Sequence, residues 1–219
     1  VAAGVADYTV EATAGTVLMT ADESIALGNV EATNSADDPA IQLTSFSGAV
    51  NDINGDTINL TANTVGAVVV IDAAMGVGSG DELETAIDTL DVDNGSIGDI
   101  GIIEIAAGGN LDVRRAVSAN PFGPNDGDIS IVVEGGSLTI LGTGDGVEGR
   151  SVELTAEDDL LVNEEVVGLF GDVDLTAGSD VGDLLDITAD VTAGGNMSLT
   201  GAGDPISIGA VTLTAGLDV

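Results

Sequence analysis

The sequence predicts an all-β chain wound into a β-solenoid, a parallel β-helix in which each coil stacks on the last. Three observations carry that expectation. Short phrases of glycine, a polar residue and then alternating apolar residues recur at a nearly fixed interval. Between them stand turns rich in Gly, Asn and Asp, residues that accept the left-handed backbone of a tight corner. The composition suits a thin cross-section: 32 glycines in 219 residues, 44 % hydrophobic residues and only 2 % aromatics.

The repeat is clearest in the second half. GDISIVVE from Gly127, GRSVELTA from Gly149 and GDVDLTAG from Gly171 are spaced by 22 residues, and a looser copy, GNMSLTGA, begins at Gly195. Earlier copies, GDTINLTA from Gly55 and GDIGIIEI from Gly98, stand 43 apart, close to two periods. A second phrase, a polar or glycine turn followed by a short alternating strand, recurs as AAGGNLDV, VEGGSLTI, TAEDDLLV and TAGGNMSL. Period-two strands turned about every seven residues and repeated every 22 describe a chain winding one coil at a time. Residues 1–219 then form a single solenoid domain of about ten coils, a segment of a longer protein or a fibre subunit. A β-sandwich would tolerate the turns but has no reason for the interval, and a calcium-binding β-roll would need a G-G-x-G-x-D signature that is missing.

Individual segments follow from the same logic. Asn54-Gly55 and Asn94-Gly95 read as turn formers. The stretch DELETAIDTL, Asp81 to Leu90, places Leu83, Ile87 and Leu90 at helical spacing behind acids suited to a helix N-terminus. It is either one or two helical turns or an extended excursion before a strand at Asp91 to Asp93. Residues 114–128, centred on SANPFGPND, read as a loop inserted into one repeat, which accounts for the longer step from Gly98 to Gly127. Tyr8, Phe46, Phe122 and Phe170 are expected as core plugs or loop anchors, and Met19, Met75 and Met197 as core fillers.

One string carries a resemblance. GSGDELETAIDTLDVDNGSIGDIGIIEIAAGGNLDV, Gly78 to Val113, resembles a phrase of large bacterial surface proteins of the filamentous-haemagglutinin-like, β-strand-repeat kind. The residues concerned are Leu83 to Ala86, Asp88 to Leu90, Asn94, Gly95, Gly108, Gly109 and Leu111. The resemblance implies a right-handed parallel β-helix in a secreted adhesin or surface fibre, with no catalytic residue to carry over.

Charge narrows the function classes. Thirty-eight Asp and Glu against three Arg give a formal charge of −35, which opposes nucleic acid and anionic lipid surfaces. With neither Cys nor His, thiolate sites, cysteine nucleophiles and histidine bases are excluded. The longest apolar run, Ala67 to Ile71, is far short of the roughly 20 residues of a membrane span. The expected role is therefore a rigid acidic rod, secreted to a bacterial cell surface or extracellular matrix. It would associate end to end or continue in a longer chain, with a cell-surface or matrix ligand as a further partner.

Paired acids suit calcium, a hard cation that prefers carboxylate oxygens. The candidates are Asp91 with Asp93, Asp126 with Asp128, Asp158 with Asp159, and Asp180 with Asp183. The alternative for each is a solvated acidic turn that keeps strand edges from pairing promiscuously. The alternative function is a β-helix polysaccharide hydrolase or lyase. It would place paired Asp beside Arg114 and Arg115, which otherwise pair with nearby acids such as Asp112.

Overall fold

A computed structural model describes residues 9–33, 35–105, 109–119, 127–178, 180–201 and 206–216. The described residues form strands, turns and no helix, and the paired strands run parallel. This is a β-solenoid. One sheet stacks nine strands: Thr9–Ala12, Asn29–Ala32, Leu60–Ala62, Leu83–Ile87, Ile100–Glu104, Ile129–Val133, Val152–Ala156, Val173–Ala177 and Met197–Gly201. A second face runs beside it through Val17–Ala21, Ile41–Ser45, Val68–Ala73, Thr89–Asn94, Leu111–Ser118, Leu138–Ile140, Leu160–Val162, Leu185–Ile187 and Ser207–Ile208. A third face is built from Gly146–Gly149, Val166–Gly168, Val191–Ala193 and Leu213–Ala215. At the other end Ile25–Leu27 pairs with Val50–Asp52, and Val77 bridges Val50 to Ile100.

Register explains the repeat. Ile129 stacks on Val152, Val152 on Val173 and Val173 on Met197, so the glycine-led phrases occupy equivalent rungs of one sheet. The inward positions, such as Ile131, Leu154 and Leu175, are fully buried while their neighbours face out. Alternating side chains on a pleated strand, repeated coil over coil, form one continuous aliphatic column. The glycines permit the corners. A Cβ on Gly149 would stand 2.8 Å from Gly127 O, and Gly146 has φ of +72° with Glu165 O against the missing Cβ.

Of the two alternatives for 81–90 the extended one holds: Leu83–Ile87 and Thr89–Asn94 are strands, and the residues at helical spacing are buried by stacking. Three expectations need correction. The inserted loop is shorter than 114–128, because Arg114 to Ser118 complete the eight-residue strand Leu111–Ser118. Residues 120–126 lie outside the described ones. TAGGNMSL belongs to the nine-stranded sheet, since Met197 to Gly201 pair with Val173 to Ala177; the second-face rung at that level is Leu185–Ile187. Phe46 and Phe170 project from the rod, 65 % and 55 % exposed, and Met75 is exposed as well. A thin aliphatic cross-section has no room for a ring. Tyr8 and Phe122 lie outside the described residues.

Corners, where the backbone ladder is interrupted, are joined by side chains. Asp99 Oδ1 accepts Gly127 N–H and Asp128 N–H at 3.0 Å, Asp128 Oδ1 accepts Ser151 N–H at 3.2 Å, and Asp172 Oδ1 accepts Asn196 N–H at 2.7 Å. At a second corner Asn110 Oδ1 accepts Ser137 N–H, Ser137 Oγ accepts Asp159 N–H, and Asp159 Oδ1 accepts Leu184 N–H at 2.7 Å. Each acceptor sits in one coil and its donor in the next, so these residues set register where strand pairing stops. Asp159→Ala orphans the Leu184 N–H and should cost about 1–3 kcal/mol, whereas Asp159→Asn, which keeps the oxygen, should cost less than half as much. Leu154→Ala, by contrast, should cost about 2–5 kcal/mol through the cavity it leaves. Denaturant unfolding of the three variants checks the order.

Candidate functional site

Parallel register places like residues over like, and on the outer surface this brings charges together. Asp93 in Thr89–Asn94 stacks directly on Asp72 in Val68–Ala73. Two carboxylates one rung apart, about 4.8 Å at the backbone, repel unless a cation or a proton intervenes. Arg115, one coil further on, supplies the cation: its guanidinium reaches Asp93 at 2.7 Å and Asp145 at 3.2 Å. Burial, then the Asp93 charge, raise the Asp72 pKa above the ordinary carboxylate value, with Arg115 opposing. Asp91, stacked between Val70 and Arg115, is raised chiefly by burial while both Arg115 and Arg114 pull it down. The result is an ordered array of an acid of raised pKa, a paired carboxylate and a guanidinium on three consecutive coils.

Beside it opens a groove of about 490 Å³ lined by Thr44, Phe46, Asp72, Asp93, Gly95 and Ser96 among others. The exposed Phe46 ring provides an apolar face, and the acids and hydroxyls provide donors and acceptors. That combination suits a polar ligand with one apolar surface. Spacing within the sequence hid Asp72 and Asp145 from the reading above, which had Phe46 as a core plug or loop anchor and not as the wall of a groove. The available signal was the alignment of VVVIDA with TLDVDN, which sets Asp72 over Asp93 at close to the 22-residue period.

The remaining candidates are dispersed. Arg114 pairs with Asp38 at 3.0 Å, and Arg150 with Asp128 at 3.3 Å; the partners of Arg114 and Arg115 are thus Asp38, Asp93 and Asp145 rather than Asp112. Asp128 and Asp159 are corner acceptors, as described above. Asp158 is exposed, its N–H donating to Gly136 O, and Asp183 Oδ2 accepts Asp180 N–H at 2.8 Å within one turn. Asp126 lies outside the described residues. Among the described residues no three acidic side chains converge as ligands of one ion, so the sequence-predicted pairs are not assembled into a common centre. Among them also no helix is long and apolar enough to cross a membrane.

The chain matches no family model, no curated protein and no solved structure.

The raised carboxyls make a pH prediction. In the folded state Asp72, Asp91 and Asp112 keep protons that the unfolded chain has already released, each chiefly because of burial. Stability therefore falls as pH rises from the ordinary value of 3.8 through the raised values. Lowering the pH from 7 towards about 5 should raise the melting temperature. Asp72→Asn should stabilise at pH 7 by less than about 1 kcal/mol, because the site is partly solvated, and should flatten the pH slope. A calorimetric scan across that range on both proteins is the check; a melting temperature that falls on acidification contradicts the assignment.

Proposed function

We propose that the chain is a structural and adhesive element, an acidic right-handed rod that stacks end to end into an extracellular filament or continues as the shaft of a longer surface protein. The right hand agrees with the general preference of parallel strand crossovers. The observation that carries the reading is the state of the terminal rungs. Val10, Ala12, Met19, Met197, Leu199, Ile206 and Val211 continue the inward columns and pack on the core, yet they are only partly buried. Leu213, stacked on Val191, is 36 % exposed. On this reading a coil of a second copy covers each half-buried column, a head-to-tail contact that does not close on itself.

Net charge opposes that contact and salt relieves it. Sedimentation at rising protein concentration should therefore show chains of stacked rods at about 1 M salt and separate rods at low salt. Leu199→Glu, at a half-exposed position of the last described rung of its sheet, should abolish association while lowering the melting temperature only slightly. A single sedimenting species of one chain at every concentration and salt would refute end stacking.

The groove supports a second reading, a polysaccharide-active β-helix enzyme. Asp72, its pKa raised by burial and by the Asp93 charge, stands beside the Arg115-paired Asp93, which offers a candidate acid and a carboxylate on one face with Phe46 as a sugar platform. On that reading the protein releases sugar ends from an uncharged polysaccharide, and Asp72→Asn lowers release at least a hundredfold. No release above the Asp72→Asn level would dismiss it.

A further inference from the structure

Glu84 is a buried acid that neither the stack nor the groove explains. It lies in Leu83–Ile87, whose five residues are all buried, and is 7 % exposed. Its backbone is held: Glu84 N–H donates to Asn59 Oδ1 at 2.9 Å, and its carbonyl accepts Asn59 N–H at 2.8 Å. Its Oε2, however, is buried and meets no hydrogen-bond donor. A buried carboxylate oxygen without a donor is costly. Glu104, equally buried, shows the ordinary solution, because its Oε2 accepts from Thr85 Oγ1 and Ile87 N–H, each at 2.9 Å.

The surroundings of Glu84 deepen the imbalance. It floors a cavity of about 270 Å³ lined by Asp56, Ile103, Ile105 and Glu134 as well. Burial raises the Glu84 pKa most, a backbone hydrogen bond opposes it, and the charges of Asp52, Asp81 and Asp56 raise it further. Asp52 is anchored by Asn54 N–H, Gly55 N–H and Asn59 Nδ2 at 2.6–2.9 Å. The chain has three basic residues, and all three are engaged elsewhere, with Asp38, with Asp93 and Asp145, and with Asp128. The cation this cavity calls for must come from outside the chain.

We propose that the cavity floored by Glu84 and lined by Asp56 and Glu134 binds a hydrated divalent cation, with Glu84 Oε2 as its innermost protein oxygen. Hard divalent ions take carboxylate and water oxygens together. The described acids do not converge as ligands of a bare ion, and the cavity exceeds the roughly 30 Å³ of one water several-fold, so the ion keeps much of its water shell. Its ligands come from the turn after Val50–Asp52, from Leu83–Ile87 itself and from the residue after Ile129–Val133, so the ion clamps separate windings of the rod. This site shares no residue with the paired acids singled out from the sequence, and it does not depend on end stacking.

Titration calorimetry with calcium chloride and then magnesium chloride, at constant ionic strength, tests the site on the full chain. The variants are Glu84→Gln, Asp56→Asn and, as a distant exposed acid, Glu157→Gln; thermal melting confirms that each is folded. The intact protein and Glu157→Gln should show one saturable equivalent for at least one of the two ions. Glu84→Gln should weaken that binding at least tenfold and Asp56→Asn several-fold. Should Glu84→Gln fail to fold, the comparison of Asp56→Asn with Glu157→Gln decides alone. Absence of a saturable equivalent with either ion, or equal affinity in the Glu84 or Asp56 variant and the Glu157 variant, overturns the proposal.

Discussion

The parallel ladder between coils is the interaction on which everything else in this rod depends. A single coil is too short to bury its own apolar residues, so each acquires a core only by lying on its neighbour. The ladder fixes that neighbour about 4.8 Å away and in register, which stacks Val on Val and Leu on Leu along the inner column. The same register stacks whatever faces outward. In a chain with 38 acids and three bases, like charges are then brought onto one another unless something separates them.

The acids divide according to how that repulsion is met. At corners the carboxylates of Asp99, Asp128, Asp159 and Asp172 accept backbone N–H groups of the following coil, which both holds the charge and aligns the next strand. On the outer face Arg115 stands over the Asp72 and Asp93 stack, and burial together with the Asp93 charge raises the Asp72 pKa. In the cavity at Glu84 neither a base nor enough donors are present, and that difference sets it apart from the other acidic clusters described. Structure and function are therefore joined through charge: the places where the ladder's constraint is incompletely answered are the places able to bind something.

Much of the fold was legible because a solenoid writes its coil length into the sequence. The phrases at Gly127, Gly149, Gly171 and Gly195 lead into successive rungs of one sheet, and at Gly149 the backbone of the preceding coil passes too closely for a Cβ. The segment at Asp81 to Leu90 was ambiguous because Leu83, Ile87 and Leu90 satisfy helical spacing, while what buries them is the coil on either side, which local spacing does not record. The sites were less legible for a related reason. Asp72 meets Asp93, and Asp56 shares a cavity with Glu84, only because one coil lies on the next, and the coils are not all of one length: the steps from Val30 to Leu60 and from Ile100 to Ile129 are longer than the regular ones. A pairing of acids adjacent in sequence, such as Asp158 with Asp159, therefore missed the pairing of acids adjacent in space.

In-register stacking of successive coils is the central claim, and engineered disulfides test it most directly because the chain has no cysteine of its own. Thr155 pairs with Thr176 on the outer surface of neighbouring coils, at a backbone separation of about 4.8 Å that a disulfide spans. The double substitution Thr155→Cys with Thr176→Cys should oxidise completely within the folded monomer, while Thr155→Cys with Asp174→Cys, two positions out of register, should stay largely reduced. Equal oxidation of the two pairs, or preference for the second, would contradict the stacked-coil account.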